Sequence, residues 1–295
     1  MNSSTNFNKY FNPFYIYRYR DLIVPYFIKK YQTIRNYICF EAAKKNYYLT
    51  ANEKQLAALK NRFEGRRCFI IGNGPSLKIS DLEKLKHEIT FAANKIYLAF
   101  DQTSWRPSYY VVTDRLVAIQ NYKEINRLSG FPKLISNWAL EKWHTPFKDA
   151  IYFRYQGYNT YPGPPGFADN VIDKVFAGRT VVYACMQLAS YMGIKEMYLL
   201  GVDFNFTEPK NLEDGVLSSE GEINHFHPNY RKIGEKWQAP KLDYQEKAFR
   251  VANDVITMTG GNIYNATRGG KLEVFPRVDF DTLFCNPELE PTPAQ

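Results

Sequence analysis

Arg67-Cys68-Phe69-Ile70-Ile71-Gly72-Asn73-Gly74-Pro75-Ser76-Leu77 is a short apolar run that stops in Gly-Asn-Gly-Pro-Ser. Such a run reads as a buried strand, and its end as a tight strand-to-helix turn. Ser76 and Ser80 offer helix caps, and Asp81-Leu82-Glu83-Lys84-Leu85 continues in helical style. Outward from this unit the texture repeats. Residues 89–94 and 109–114 read as strands, 133–137 and 150–153 as weaker ones, and 197–203 and 262–265 as the last two. Between them Val181, Ala184, Cys185, Leu188 and Met192 recur at helical spacing, a buried helix face stopped by Gly193. A second helix is expected from 242 to 259, ending at Gly260-Gly261. Alternating strands and helices predict an α/β fold: a Rossmann-like, doubly wound, mainly parallel sheet with helices on both faces. Residues 156–170, rich in Gly, Pro, Tyr and Asn, read as a loop, and 204–238 as a long irregular segment of the kind that is functional or mobile.

The 295 residues carry 38 Lys+Arg and 30 Asp+Glu, with 45% hydrophobic residues, an ordinary globular composition. The excess charge is local. Residues 1–67 hold 13 basic and 4 acidic side chains, and the rest of the chain is near neutral. A neutral main domain argues against nucleic acid as a partner. The first 50 residues also hold 14 Phe and Tyr among those Arg and Lys. Two readings stay open for this N-terminal helical extension, placed at residues 1–64. It packs on the main domain or a second copy in a homo-oligomer, or it lies peripherally on an anionic membrane surface. Residues 65–285 form the nucleotide-sugar-binding domain in this reading, and 286–295 a tail. Cys39, Cys68, Cys185 and Cys285 lie far apart and read as reduced thiols. With no transmembrane run and no signal peptide, the expected compartment is the cytoplasm, with the inner face of the membrane as a peripheral location.

In a parallel sheet the strand ends converge on one edge, where ligands bind. The expected strands end at Gly72-Asn73-Gly74, Asn94, Asp114, Gly201 to Asp203, and Asn265-Ala266-Thr267. Asn73 can donate and accept, and the flanking glycines let backbone approach a ligand closely. The pattern is neither a G-x-G-x-x-G fingerprint nor a Walker A loop. Of the four His, His87 reads as an inert surface residue and His144 as structural. His225 and His227 sit in the irregular segment beside Glu220, Glu222 and Tyr230. For them a catalytic or substrate-binding role, metal ligation and a bland loop position all remain open.

The run from Arg67 to Leu77, the run from Gly193 to Asp203, and the run from Tyr264 to Glu273 resemble the 6-hydroxymethylpterin diphosphokinase-like (MptE-like) family. The likeness spans about residues 65–284. The bacterial members of that family commonly sit in surface-glycan or flagellin-glycosylation settings. The same blocks are similar to bacterial sialyltransferases that use CMP-sialic acid. That resemblance implies a nucleotide site at Gly72, Asn73, Gly74, Ser76, Asn94, Asp114, Thr180, Gly201, Asp203, Asn265 and Thr267. It also implies a His base at His225 or His227, with Tyr230, Arg179 and Thr180 facing the phosphate. There are departures: a phosphate-contacting Tyr of the sialyltransferases falls on Asn205, and an Arg before their buried helix has only Arg179, one position off. The expected function is a glycosyltransferase with no required cofactor, a nucleotide-sugar donor and a bacterial surface-glycan acceptor. The alternatives are an Mg²⁺-dependent diphosphokinase, with Asp114 and Asp203 as metal carboxylates, and a non-catalytic nucleotide-binding partner in glycan assembly.

Overall fold

The computed structural model describes residues 34, 38, 41, 42, 45, 47–139, 147–157, 163–207, 212, 213 and 216–284. The chain divides into two units, Met1–Lys54 and Gln55–Gln295. That division precedes the 64/65 boundary because Leu56 and Leu59 are buried in the core of the second unit. Most of the basic aromatic segment, His144 and the C-terminal tail lie outside the described residues. Helix α1, Ala51–Ala57, opens with a reciprocal cap: Glu53 N–H donates to Thr50 Oγ1, and Thr50 N–H donates to the Glu53 carboxylate.

Seven strands form the central sheet: β1 (Arg67–Ile71), β2 (Ile89–Ala93), β3 (Tyr109–Val112), β4 (Lys133–Ser136), β5 (Ala150–Phe153), β8 (Glu196–Leu200) and β12 (Asn262–Asn265). Their order is β12-β8-β1-β2-β3-β4-β5, and every pairing is parallel. These are the seven runs expected from sequence; β5 and β12 end where expected and the other five a little earlier. Both faces are covered, so the strands are apolar on both sides rather than alternating. One face packs Cys68, Ile70, Phe91, Val111 and Leu199 under α5 (Val181–Tyr191) and α6 (Leu242–Met258). The other packs Phe69, Ile71, Tyr110, Val112 and Leu200 against α2 (Ile79–Glu83), α3 (Arg115–Gln120), α4 (Tyr122–Arg127) and a 3-10 turn at Asn94–Ala99.

Two regions expected to be irregular carry strands. A two-stranded parallel pair, β6 (Tyr155–Gln156) and β7 (Val175–Phe176), brackets the Gly/Pro-rich loop. Within 204–238 lies an antiparallel three-stranded sheet of β9 (Leu212–Glu213), β10 (Val216–Ser218) and β11 (Lys236–Gln238). Strands this short leave almost no periodic signal. Cys68 and Cys185 are free and buried, and burial pushes both thiols up, which makes them poor nucleophiles. No helix among the described residues is long and apolar enough to cross a membrane.

Candidate functional site

From β1 the chain builds outward through β2 to β5 on one side, while β8 and β12 lie on the other. The order of the sheet therefore reverses between β1 and β8, and ligand crevices form at such a point beyond the carboxyl strand ends. A cleft opens there. Gly72, Asn73 and Gly74 from β1, Asn94 from β2, and Gly201, Asp203 and Asn205 from β8 line it, with Thr180 at the start of α5 and His225 and Tyr230 from the 204–238 segment.

The glycines follow from the crossing of the two strand ends. Gly72 N–H donates to Leu200 O at 2.7 Å and Gly74 N–H to Gly201 O at 2.9 Å. A side chain at Gly72 would strike the Gly201 carbonyl, and one at Gly74 the Asp203 carboxylate. Gly201 itself sits at φ +68°, which an L side chain adopts only with strain. Asp203 accepts from Ser76 N at 3.2 Å and Ser76 Oγ at 2.8 Å, tying the turn to β8. Burial raises the Asp203 carboxyl, against the pull of those two donors.

Two amide side chains of the cleft lining each leave an oxygen unsatisfied. Asn73 Nδ2 donates to Ala93 O at 3.0 Å, and Asn94 holds a left-handed backbone at φ +53°. Each is fixed, yet Asn73 Oδ1 and Asn94 Oδ1 are buried with no hydrogen-bond partner. Buried polar atoms rarely stay unpaired, so these two oxygens mark where a donor-bearing ligand fits.

A ring pair also lines the cleft. His225 stacks on Tyr230 with centroids 3.7 Å apart and planes within 4°. Burial, with help from Arg231 and Lys95, lowers His225 to about 3, so its ring is neutral. Burial likewise pushes Tyr230 up to about 12. The pair is held in place from β1 and β2: Phe226 N–H donates to Asn73 O at 3.0 Å, and Lys95 Nζ to Tyr230 O at 2.7 Å. Lys95 also pairs with Glu235 at 2.6 Å; the lysine is buried and the glutamate half-buried.

Six expected site residues stand outside the cleft lining. Asp114 caps α3, accepting from Leu116 N and Val117 N. Ser76 acts only through Asp203. Asn265 donates to Leu272 O and accepts from Thr267 N, closing the turn after β12, and Thr267 Oγ1 accepts from Val202 N, stitching that turn to the end of β8. Arg179 has φ +60°, and its carbonyl accepts from Gln245 Nε2. His227 Nδ1 accepts from Asn229 N, a local turn contact. Strand-end position alone could not separate side chains facing the cleft from those closing turns. The cleft also uses Val181, Val182, Phe204, Asn224, Gln245 and Phe249. None carried a motif; only the helix start at Thr180, which caps α5 by accepting from Val182 N, gave a signal for its neighbours.

The family model for 6-hydroxymethylpterin diphosphokinase MptE-like proteins matches residues 41–209. The chain belongs to that family. The matched residues of this MptE-like protein include the β1 turn, Asn94 and the β8 end, but stop before His225 and Tyr230. No curated protein matches the chain. Among solved structures it is similar to a MAf glycosyltransferase from Magnetospirillum magneticum AMB-1, at 16% identity and a TM-score of 0.44. The likeness covers 78% of this chain and 38% of that protein, so the chain spans well under half of its length.

Proposed function

We propose that the protein is a glycosyltransferase that moves a sugar from CMP-sialic acid, or a related CMP-keto-sugar, to a bacterial surface glycan. The observation that carries this reading is the pair of bare, buried oxygens, Asn73 Oδ1 and Asn94 Oδ1, in the same cleft lining as the neutral His225 ring. The oxygens suit amine or hydroxyl donors of a nucleoside. The N-terminus of α5 at Thr180, Val181 and Val182 suits its phosphate. In transfer, the acceptor oxygen bonds to the anomeric carbon while the bond from that carbon to the phosphate oxygen breaks. CMP leaves with the electron pair, and the acceptor proton passes to His225 Nδ1 or Nε2. An imidazole at about 3 is a weak base. The negative phosphate of a bound donor raises it, so proton acceptance is coupled to donor binding.

The diphosphokinase reading needs carboxylates gathered on Mg²⁺. Asp203 lines the cleft with both oxygens bonded to Ser76, while Asp114 is turned to the α3 N-terminus. Among the described residues no group of three His, Cys, Asp or Glu is placed to hold a metal. Asp114 is thus engaged elsewhere and does not join Asp203 at the cleft, which weighs against the diphosphokinase reading.

A thermal-shift panel of CMP, CDP, UDP, GDP and ATP, each with and without Mg²⁺, tests the proposal. CMP should give the largest shift, unchanged by EDTA, and Asn73→Ala should remove most of it. A largest shift with ATP and Mg²⁺, and none with CMP, overturns it.

A further inference from the structure

Phe204 follows the end of β8 and lines the cleft, half-buried. Its backbone is left-handed, at φ +53°. A bulky side chain enters that region only at a cost in free energy, and it persists where the surrounding structure over-determines it. Both flanks do so. Asp203 O accepts from Lys271 N at 2.8 Å, while the Asp203 carboxylate is bonded to Ser76. Three residues beyond Phe204, Thr207 N donates to Asn224 Oδ1 at 2.8 Å and Asn224 Nδ2 to Thr207 O at 2.7 Å. The Phe204 ring packs on Phe249, with centroids 6.1 Å apart and planes at 58°, and the buried Phe249 packs in turn on Phe275. Phe204 is thus fixed in the lining by its turn and by the core. The lining is also divided by chemistry. Strands β2 and β8 flank β1 on opposite sides. The bare oxygens of Asn73 and Asn94 come from the ends of β1 and β2, whereas Val202, Phe204 and Phe206 follow β8 and Phe249 joins the lining from α6.

We propose that Phe204 is the stacking platform for the base of the nucleotide donor. This rests on the nucleotide-sugar reading above. A nucleobase carries the same division as the lining, apolar π-faces and a hydrogen-bonding edge, so an aromatic ring and bare acceptor oxygens in one cleft suit it together. Glycine or asparagine would take the left-handed backbone at less cost, so what the position gains from phenylalanine is the ring. Stacking is tolerant of which base is presented. Phe204 therefore supplies affinity for a base, and the choice among bases is left to the oxygens. The apolar face of the donor's sugar is the other surface the ring could meet, and CMP, which lacks that sugar, distinguishes the two.

Two measurements on the full chain decide the matter. In the wild type bound to CMP, nuclear Overhauser contacts should run from the cytosine ring protons to phenylalanine ring protons. Their absence overturns the proposal and needs no variant to fold. Calorimetric titration with CMP, and with ribose 5-phosphate in competition against CMP, then separates the base from the rest of the nucleotide. Phe204→Leu, which keeps an apolar side chain and loses the ring, should weaken CMP about 5-fold or more. It should leave ribose 5-phosphate within about two-fold of wild type, because the lost contact is with the base. Phe204→Tyr, which keeps the ring, should bind CMP within about three-fold of wild type. Unchanged CMP affinity in Phe204→Leu overturns the role of Phe204 while leaving the nucleotide site standing. An equal loss for CMP and ribose 5-phosphate makes Phe204 a support of the turn and also overturns it, as does a tyrosine variant as weak as the leucine one. A wild type that does not bind CMP ends the nucleotide-sugar reading and this role with it.

Discussion

His225 shows how environment decides the chemistry of a residue. A free imidazole titrates near 6.5; this one is pushed to about 3 by burial, with Arg231 and Lys95 adding to the effect. The folded state therefore favours the neutral ring. Its contribution to stability is complete above about pH 6.5, and it is lost as the pH falls toward about 3, where the unfolded chain takes up a proton that the native chain refuses. Denaturation midpoints between pH 7 and 4 should fall more steeply for wild type than for His225→Gln. Identical slopes would mean that the ring is solvated in solution. The sequence offered His225 and His227 as near equals. The fold separates them, because His225 stacks on Tyr230 in the cleft while His227 closes a local turn.

The segment that carries His225 behaves as an element fastened at two points. Residues 219–235 leave β10 and return to β11, with Ser219 and Glu235 still paired across the gap. The Phe226 N–H to Asn73 O bond and the Lys95–Glu235 pair fix it over the strand ends. Lys95→Met leaves the half-buried Glu235 carboxylate unpaired, at a cost on the order of 1–3 kcal/mol. The variant should melt lower, be cut by protease within 219–235, and lose CMP affinity while the sheet core stays intact. If the segment stays protected and CMP binds as before, Lys95 does not hold it. Lys95 was invisible as a site residue. It follows Asn94 as an ordinary lysine, and only the return of the chain 140 positions later gives it a partner.

For the whole molecule, the division at Lys54 and Gln55 sets where the chain can be cut. Removal of residues 1–54 should leave CMP binding unchanged, because Leu56, Leu59 and every cleft residue lie beyond the cut. The same truncation should abolish either sedimentation with anionic vesicles or self-association, given the basic, aromatic composition of that segment. Loss of the folded second unit on this cut would show that the segment belongs to its core. The seven parallel strands were legible because a strand buried on both faces must be a continuous apolar run, and turn residues must end it. The turn at Gly72-Asn73-Gly74 was legible for the same local reason. Which strand ends face a common cleft was not local. It depends on β8 crossing to lie beside β1, which turns Asn73, Asn94 and Asp203 inward and spends Asp114, Asn265 and Thr267 on backbone. The amino-acid sequence by itself determined the seven strands of the central sheet, the two long helices and the turn. Only the tertiary structure decided that His225 is neutral and that Lys95 is a fastener, because burial and charge pairing arise between residues that the chain keeps far apart.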